Sequence, residues 1–146
     1  MVDYDQEAVE TRIRQSFARQ GAMETLGAEL SRVSPGVVEI ELAYDRKLTQ
    51  QHGFLHAGVI SAALDTACSY AAYTVVEPEV SLLTIEFKVN LMSPGRGERF
   101  LFRREITQPG SNIIVADGRG YALTDGPAKL IASMTSTLMP APAAGA

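Results

Sequence analysis

Cysteine is nearly absent. Cys68 is the only one in 146 residues, so no internal disulfide is available, and its place inside an apolar run reads as a small core side chain. Histidine is almost as scarce. His52 and His56 stand four apart, a metal-ligand spacing only on a helix, and Gly53 with its polar neighbours argues against a helix there. No third ligand cluster accompanies them, and no metal is expected. Basic runs are missing too. A net charge of −4 with 21% charged residues argues against a nucleic-acid backbone as the main partner. No charged-then-apolar leader opens the chain, since Asp3, Asp5, Glu7 and Glu10 appear at once, and a cytoplasmic location is the expectation. The one long apolar run, residues 57–76, has the length of a membrane span, but an aspartate at its middle costs about 2.5–3.5 kcal/mol. Ser61, Thr66 and Ser69 weaken the case further, so no membrane span is expected.

What is present suffices for one domain. A chain of this length buries about two thirds of the surface that its unfolded form exposes, and residues 1–146 are expected to form a single unit with its core in 25–138. The tail, residues 140–146, is Ala and Pro with a Gly and little to bury, and is expected to fray.

In chain order, Val9, Ile13 and Phe17 recur at helical spacing within residues 4–19, with charged residues between them, which predicts an amphipathic helix ended by Gly21. Residues 26–33 and 37–44 flank Ser34-Pro35-Gly36 and read as a hairpin, with Val38, Ile40, Leu42 and Tyr44 on one face. Residues 45–55 form a loop and the long helix follows, broken by Glu77-Pro78-Glu79. Residues 81–91 predict a strand with Leu83, Ile85, Phe87, Val89 and Leu91 on one face and Thr84, Glu86, Lys88 and Asn90 on the other, ended by Ser93-Pro94-Gly95. Strands at 98–107, 112–122 and 128–138 follow, separated by turns at 109–111 and 125–127. The order implies an α+β fold, an antiparallel sheet of five to six strands wrapped around one helix, with a further helix at the N-terminus.

The chemistry gathers in residues 50–76. Ser61, Asp65, Ser69 and Tyr73 recur at four-residue spacing and stack on one helix face, with Asp65 its only charge. A buried, unpaired carboxylate is unfavourable, so Asp65 needs a partner, a water or a catalytic role. At the other end, His56-Ala57-Gly58 supplies a first turn whose backbone N–H groups lack intrahelical acceptors. With a methyl at 57 and no side chain at 58, a carbonyl oxygen can approach those donors closely. Ala57 and Asp65 are eight residues apart, or about 12 Å along the axis. One helix cannot bring both to one carbonyl. Two copies side by side about a two-fold axis can, which predicts a composite site in a dimer.

The stretch Thr49-Gln50-Gln51-His52-Gly53-Phe54-Leu55-His56-Ala57-Gly58, with Asp65 on the helix behind it, resembles the acyl-CoA thioesterases of the hot-dog superfamily, in particular the phenylacetate-pathway (PaaI-like) branch. There an Asn, a short loop and His-Gly-Gly precede an Asp seven residues after the last Gly, and Asp65 stands seven residues after Gly58. The sequence departs twice from that pattern, with Gln50 or Gln51 in place of the Asn and Ala57 in place of the first Gly.

The resemblance implies the hot-dog fold and hydrolysis of an aryl- or medium-chain acyl-CoA without a cofactor, by a dimer or a dimer of dimers. Asp65 would serve as general base or nucleophile. The Ala57 and Gly58 backbone would polarise the thioester carbonyl, His56 would contact the sulfur or orient the loop, and Gln50 or Gln51 would contact carbonyl or water. Thr84 matches a position that helps hold the water. Phe54, Leu55 and Tyr73 are candidates for the acyl pocket. Among the cations on strands and turns, Lys88, Arg96, Arg99, Arg103, Arg104 and Arg119, the pair Arg96 and Arg99 is the candidate contact to coenzyme A phosphates. Two other readings stay open, a hot-dog dehydratase or hydratase using His56 with Asp65, and a non-catalytic acyl-CoA-binding module.

Overall fold

The computed structural model describes residues 5–106 and 110–142. The first helix, α1 (Gln6–Ala18), is capped by the Asp5 carboxylate, which accepts from the Glu7 N–H, and it buries Val9 and Ile13. Gly21 does not simply end it. It opens a second short helix, α2 (Gly21–Leu26), which buries Met23 and is closed by Gly27 at φ 69°. Ala22, Met23, Glu24 and Leu26 are good helix formers and Gly27 supplies the left-handed cap, so the strand expected from residue 26 begins only at β1 (Glu29–Ser34).

Strands β1 and β2 (Val37–Ala43) form the expected hairpin around Pro35 and Gly36. Val38, Ile40 and Leu42 are fully buried, whereas Tyr44 lies beyond the strand and is 43% exposed. A 3-10 turn (Arg46–Leu48) leads to the central helix α3 (Ala57–Tyr73), which stops three residues earlier than expected. The buried Thr74 hydroxyl donates to the Ala71 carbonyl and accepts from the Gly36 N–H, and Arg12 donates to the carbonyls of Tyr73 and Val76. These groups satisfy the helix end.

The remaining strands are β3 (Val80–Leu91), β4 (Arg99–Glu105), β5 (Ile114–Leu123) and β6 (Lys129–Pro142). Residues 107–109, where the strand end at 107 and part of the turn at 109–111 were expected, lie outside the described residues. All neighbours pair antiparallel in the order β1-β2-β4-β5-β6-β3, so β3 leaves α3 for the far edge and pairs only with β6. This is the hot-dog arrangement. Ala63, Leu64, Ala67, Cys68 and Ala71 of α3 pack against Ile40, Phe100, Phe102, Ile114, Ala132 and Met134 of the sheet. Gly118 brings the two layers close, since a Cβ there would lie 3.1 Å from Cys68 Sγ and 3.2 Å from Leu64 Cδ2.

Two expectations fail in β3 and β6. The alternation in β3 breaks at Ile85, where a bulge shifts the register between Thr84 and Glu86. Thr84, Phe87, Val89 and Leu91 therefore pair with the inward-facing Leu138, Ser136, Met134 and Ala132, while Leu83 pairs with the exposed Met139 and turns outward. Phe87 and Leu91 remain 46% and 53% exposed although they sit on the helix side of the sheet. Nor does the chain fray at 140, because Pro140, Ala141 and Pro142 continue β6 opposite Leu82, Ser81 and Val80. Beyond Leu138 no β5 partner remains, so two prolines of the same parity lose no ladder bond. Residues 143–146 lie outside the described residues.

Burial pushes the Cys68 thiol from its ordinary value of 9.0 up to about 12. The stabilisation from keeping it neutral is complete below the unfolded value and is lost as pH rises toward the folded one. At pH 8 a thiol reagent is expected to modify Cys68 only in parallel with unfolding, read as a labelling rate that rises with urea; fast labelling of the native protein would contradict its placement.

Candidate active site

The first half of the site is the loop before α3. Leu55 N–H donates to the Gly95 carbonyl and His56 N–H to the Leu48 carbonyl, which holds the loop between the 3-10 turn and the β3–β4 connection. A Cβ on Gly95 would lie 2.8 Å from that of Leu55, so glycine is needed at this crossing. Gly53, at φ 81°, closes a turn inside the loop. Within it Gln50 Oε1 accepts from the N–H groups of His52 and Phe54, leaving Nε2 as a donor without an acceptor among the described residues. Gln51 is exposed at the turn.

His56 is the N-cap of α3, and its Nδ1 accepts from Gly58 N–H at 2.8 Å. Nδ1 is the accepting nitrogen of this cap. It also narrows the expected oxyanion site. Gly58 N–H is taken by His56, and Val59 and Ile60 donate to the His56 carbonyl, so Ala57 N–H is the first-turn donor left without a protein acceptor among the described residues. Glycine at 58 serves the cap itself, since a Cβ there would lie 3.0 Å from the His56 ring nitrogen.

Beside this turn lies an open hollow of about 350 Å³ lined by Gln50, Phe54, Leu55, Ala57, Leu91 and Met92, among others. Arg96 lies over the Phe54 ring at 5.1 Å from its centroid. The other cations fall elsewhere. Arg99 pairs with Glu41 and Glu29, and Arg103 with Glu39 and Glu105. Lys88 and Arg119 belong to the outer sheet face, opposite Thr135 and Arg103. Arg104 is buried, its guanidinium bonded to the carbonyls of Asp117 and Val115, and burial lowers its pKa. It is a core residue rather than a phosphate contact.

The second half of the site is the accessible stripe of α3. Asp65 Oδ1 accepts from Thr84 at 2.8 Å, Ser69 and Thr84 hydroxyls lie 3.4 Å apart, and Tyr73 Oη accepts from Leu82 N–H at 2.8 Å. Ser61 turns back on its own helix and donates to the Ala57 carbonyl. Oδ2 of Asp65 has no donor among the described residues. Thr84 reaches Asp65 because the bulge at Ile85 turns it inward; strict alternation put it on the opposite face, and nothing in the sequence marks the bulge.

Within one chain the two halves stay apart. Gln50, Phe54, Leu55 and Ala57 share the hollow, Asp65 and Thr84 do not line it, and Tyr73 stands at the far end of α3, so Phe54, Leu55 and Tyr73 do not form one intrachain pocket. Among the described residues no three His, Cys, Asp or Glu side chains gather as a metal-ligating set.

The profile of the Thioesterase superfamily matches residues 52–129, more than half the chain, and the protein belongs to that family of thioester hydrolases. Among relatives, the medium/long-chain acyl-CoA thioesterase YigI of Escherichia coli is 29% identical over 129 residues, covering 78% of this chain and 81% of YigI. The solved structure of a thioesterase family protein from Silicibacter pomeroyi is 51% identical with a TM-score of 0.89, over 92% of this chain and 98% of that one. The PaaI protein of the Escherichia coli phenylacetic acid degradation operon shares the fold at a TM-score of 0.83 and 13% identity, over 94% and 96% of the two chains.

Removing the cap separates its structural role from any chemical one. His56→Ala is expected to lower stability by about 0.5–2 kcal/mol while His56→Asn retains most of it, measured by urea unfolding; equal stability of all three proteins would contradict the capping role.

Proposed function

We propose that the protein is an acyl-CoA thioesterase that acts as a two-fold dimer, with Asp65 of one subunit facing the helix N-terminus of the other. The observation that carries this reading is the division of the site. Asp65 is bonded through one oxygen to Thr84, and the free donor Ala57 N–H lies eight residues away on the same helix, about 12 Å. Two antiparallel copies of α3 that set each Ala57 beside the other's Asp65 cross at Ser61, midway between them. The accessible stripe there, Gly58, Ser61, Ala62, Asp65 and Ser69, is made of small residues around the one carboxylate, which permits close approach. The uncovered Phe87 and Leu91 on the same side of β3, with Met92 just beyond the strand, offer apolar surface that a second copy would bury.

In this arrangement Asp65 Oδ2 takes a proton from a water while the water oxygen attacks the thioester carbonyl carbon. Charge moves to the carbonyl oxygen, which meets Ala57 N–H of the second copy at the positive end of its helix. The intermediate collapses by breaking the C–S bond, and the departing thiolate recovers the proton from Asp65. Thr84 holds the carboxylate at the correct angle and Gln50 Nε2 offers a further donor at the mouth. Arg96, steadied on Phe54 and without a carboxylate partner among the described residues, is the phosphate contact. The acyl group is an aryl or medium-chain one.

Release of free coenzyme A from aryl and fatty acyl-CoA thioesters tests the reading. Wild type is expected to hydrolyse at least one class, and Asp65→Asn to lose about 100-fold or more in kcat, as for loss of a general base, while remaining a folded dimer. Turnover by neither protein, with equal binding of substrate, would leave a binding module instead.

A further inference from the structure

The composite site fixes where its carbonyl sits, and this constrains the acyl group; the argument here rests on the function proposed above. With the carbonyl at Asp65, the surface of α3 toward Ser61 and Gly58 is taken by the crossing helix. The acyl group is left with the other direction, past Ser69 toward Tyr73. On that path the seam between α3 and β3 is laced shut at three levels, by Asp65 with Thr84, by Ser69 with Thr84 and by Tyr73 with Leu82. An acyl chain therefore lies over the seam instead of entering between helix and strand. The far end is Tyr73, eight residues from Asp65, or about 12 Å along the axis.

Tyr73 is held firmly. Its hydroxyl accepts from Leu82 N–H, and its ring packs 5.8 Å from that of Tyr70, which in turn packs edge-on against Phe17 of α1. Behind it, toward α1, lies a hollow of about 260 Å³ that Tyr73 itself lines with Ser16, Arg19, Tyr70, Val80 and Ser81. The ring thus stands between the expected acyl path and this hollow, which opens to solvent at Gln15, Arg19 and Pro78.

We propose that Tyr73 sets the upper length of the acyl group: compact and medium chains end against its ring, and long straight chains are refused because the ring stands between them and the hollow behind it. The residue acts on specificity alone and takes no part in proton transfer.

The test is kcat/KM for an aryl-acyl-CoA and for straight-chain acyl-CoA thioesters from short to long, in wild type, Tyr73→Ala, Tyr73→Leu and Tyr73→Phe, with folding checked by circular dichroism and dimerisation by sedimentation. In wild type the long-to-medium ratio of kcat/KM is expected to be low. It should rise about tenfold or more in Tyr73→Ala, the size of effect a change of one or two methylenes in an apolar pocket produces, by a smaller factor in Tyr73→Leu, and stay at the wild-type value in Tyr73→Phe, which keeps the ring. Unchanged ratios in folded Tyr73→Ala and Tyr73→Leu would overturn the proposal while leaving the thioesterase reading intact, as would a wild type that hydrolyses long chains as well as medium ones. Should wild type hydrolyse no thioester at all, the functional reading fails and this inference with it.

Discussion

A helix that is apolar nearly all round must be covered nearly all round, and α3 sets that demand on everything else. Nine of its seventeen residues are buried, which requires a sheet long and curved enough to wrap it and glycine or alanine where the layers touch, as at Gly118. The sheet meets the demand on three sides. On the fourth, Gly58, Ser61, Ala62, Asp65 and Ser69 stay reachable, and facing them the helix side of β3 leaves Phe87 and Leu91 uncovered. The polar stripe and the bare strand are two parts of one unfinished surface, and its only carboxylate lies at the centre.

Much of this was legible in the sequence because it depends on periodicity and turn chemistry. The four-residue spacing of Ser61, Asp65, Ser69 and Tyr73, the alternation in β2, and Pro35-Gly36 are local signals, and the folded chain obeys them. What was not legible depends on tertiary pairing. The bulge at Ile85 reverses the two faces of β3 at that point, and it alone brings Thr84 to Asp65; no residue type announces it. Helix α2 hid behind a glycine that reads as a stop. The prolines of β6 read as a tail, although they are harmless to a strand paired on one side only.

The division of labour at the helix start was half legible. That His56-Ala57-Gly58 forms an N-terminus follows from the sequence, but the ring nitrogen of His56 claims one of the two candidate donors, and only the folded geometry decides which. Arg96 and Arg99 looked equivalent for the same reason. The first lies on Phe54, which lines the hollow, and the second pairs with Glu41 and Glu29.

The central claim, that one chain supplies the carboxylate and the other the backbone donor, is tested most directly by subunit complementation. Ala57→Pro removes the donor N–H at the first helical position, where proline is well tolerated and where His56 already has the extended backbone that proline requires of its predecessor. Asp65→Asn removes the carboxylate. Each variant alone should be inactive. After unfolding and refolding as an equal mixture, half the dimers are mixed, and each carries one intact site, so activity should return to about a quarter of wild type. A mixture as inactive as its components, with mixed dimers demonstrated by mass spectrometry, would place both groups in one chain's site and contradict the account.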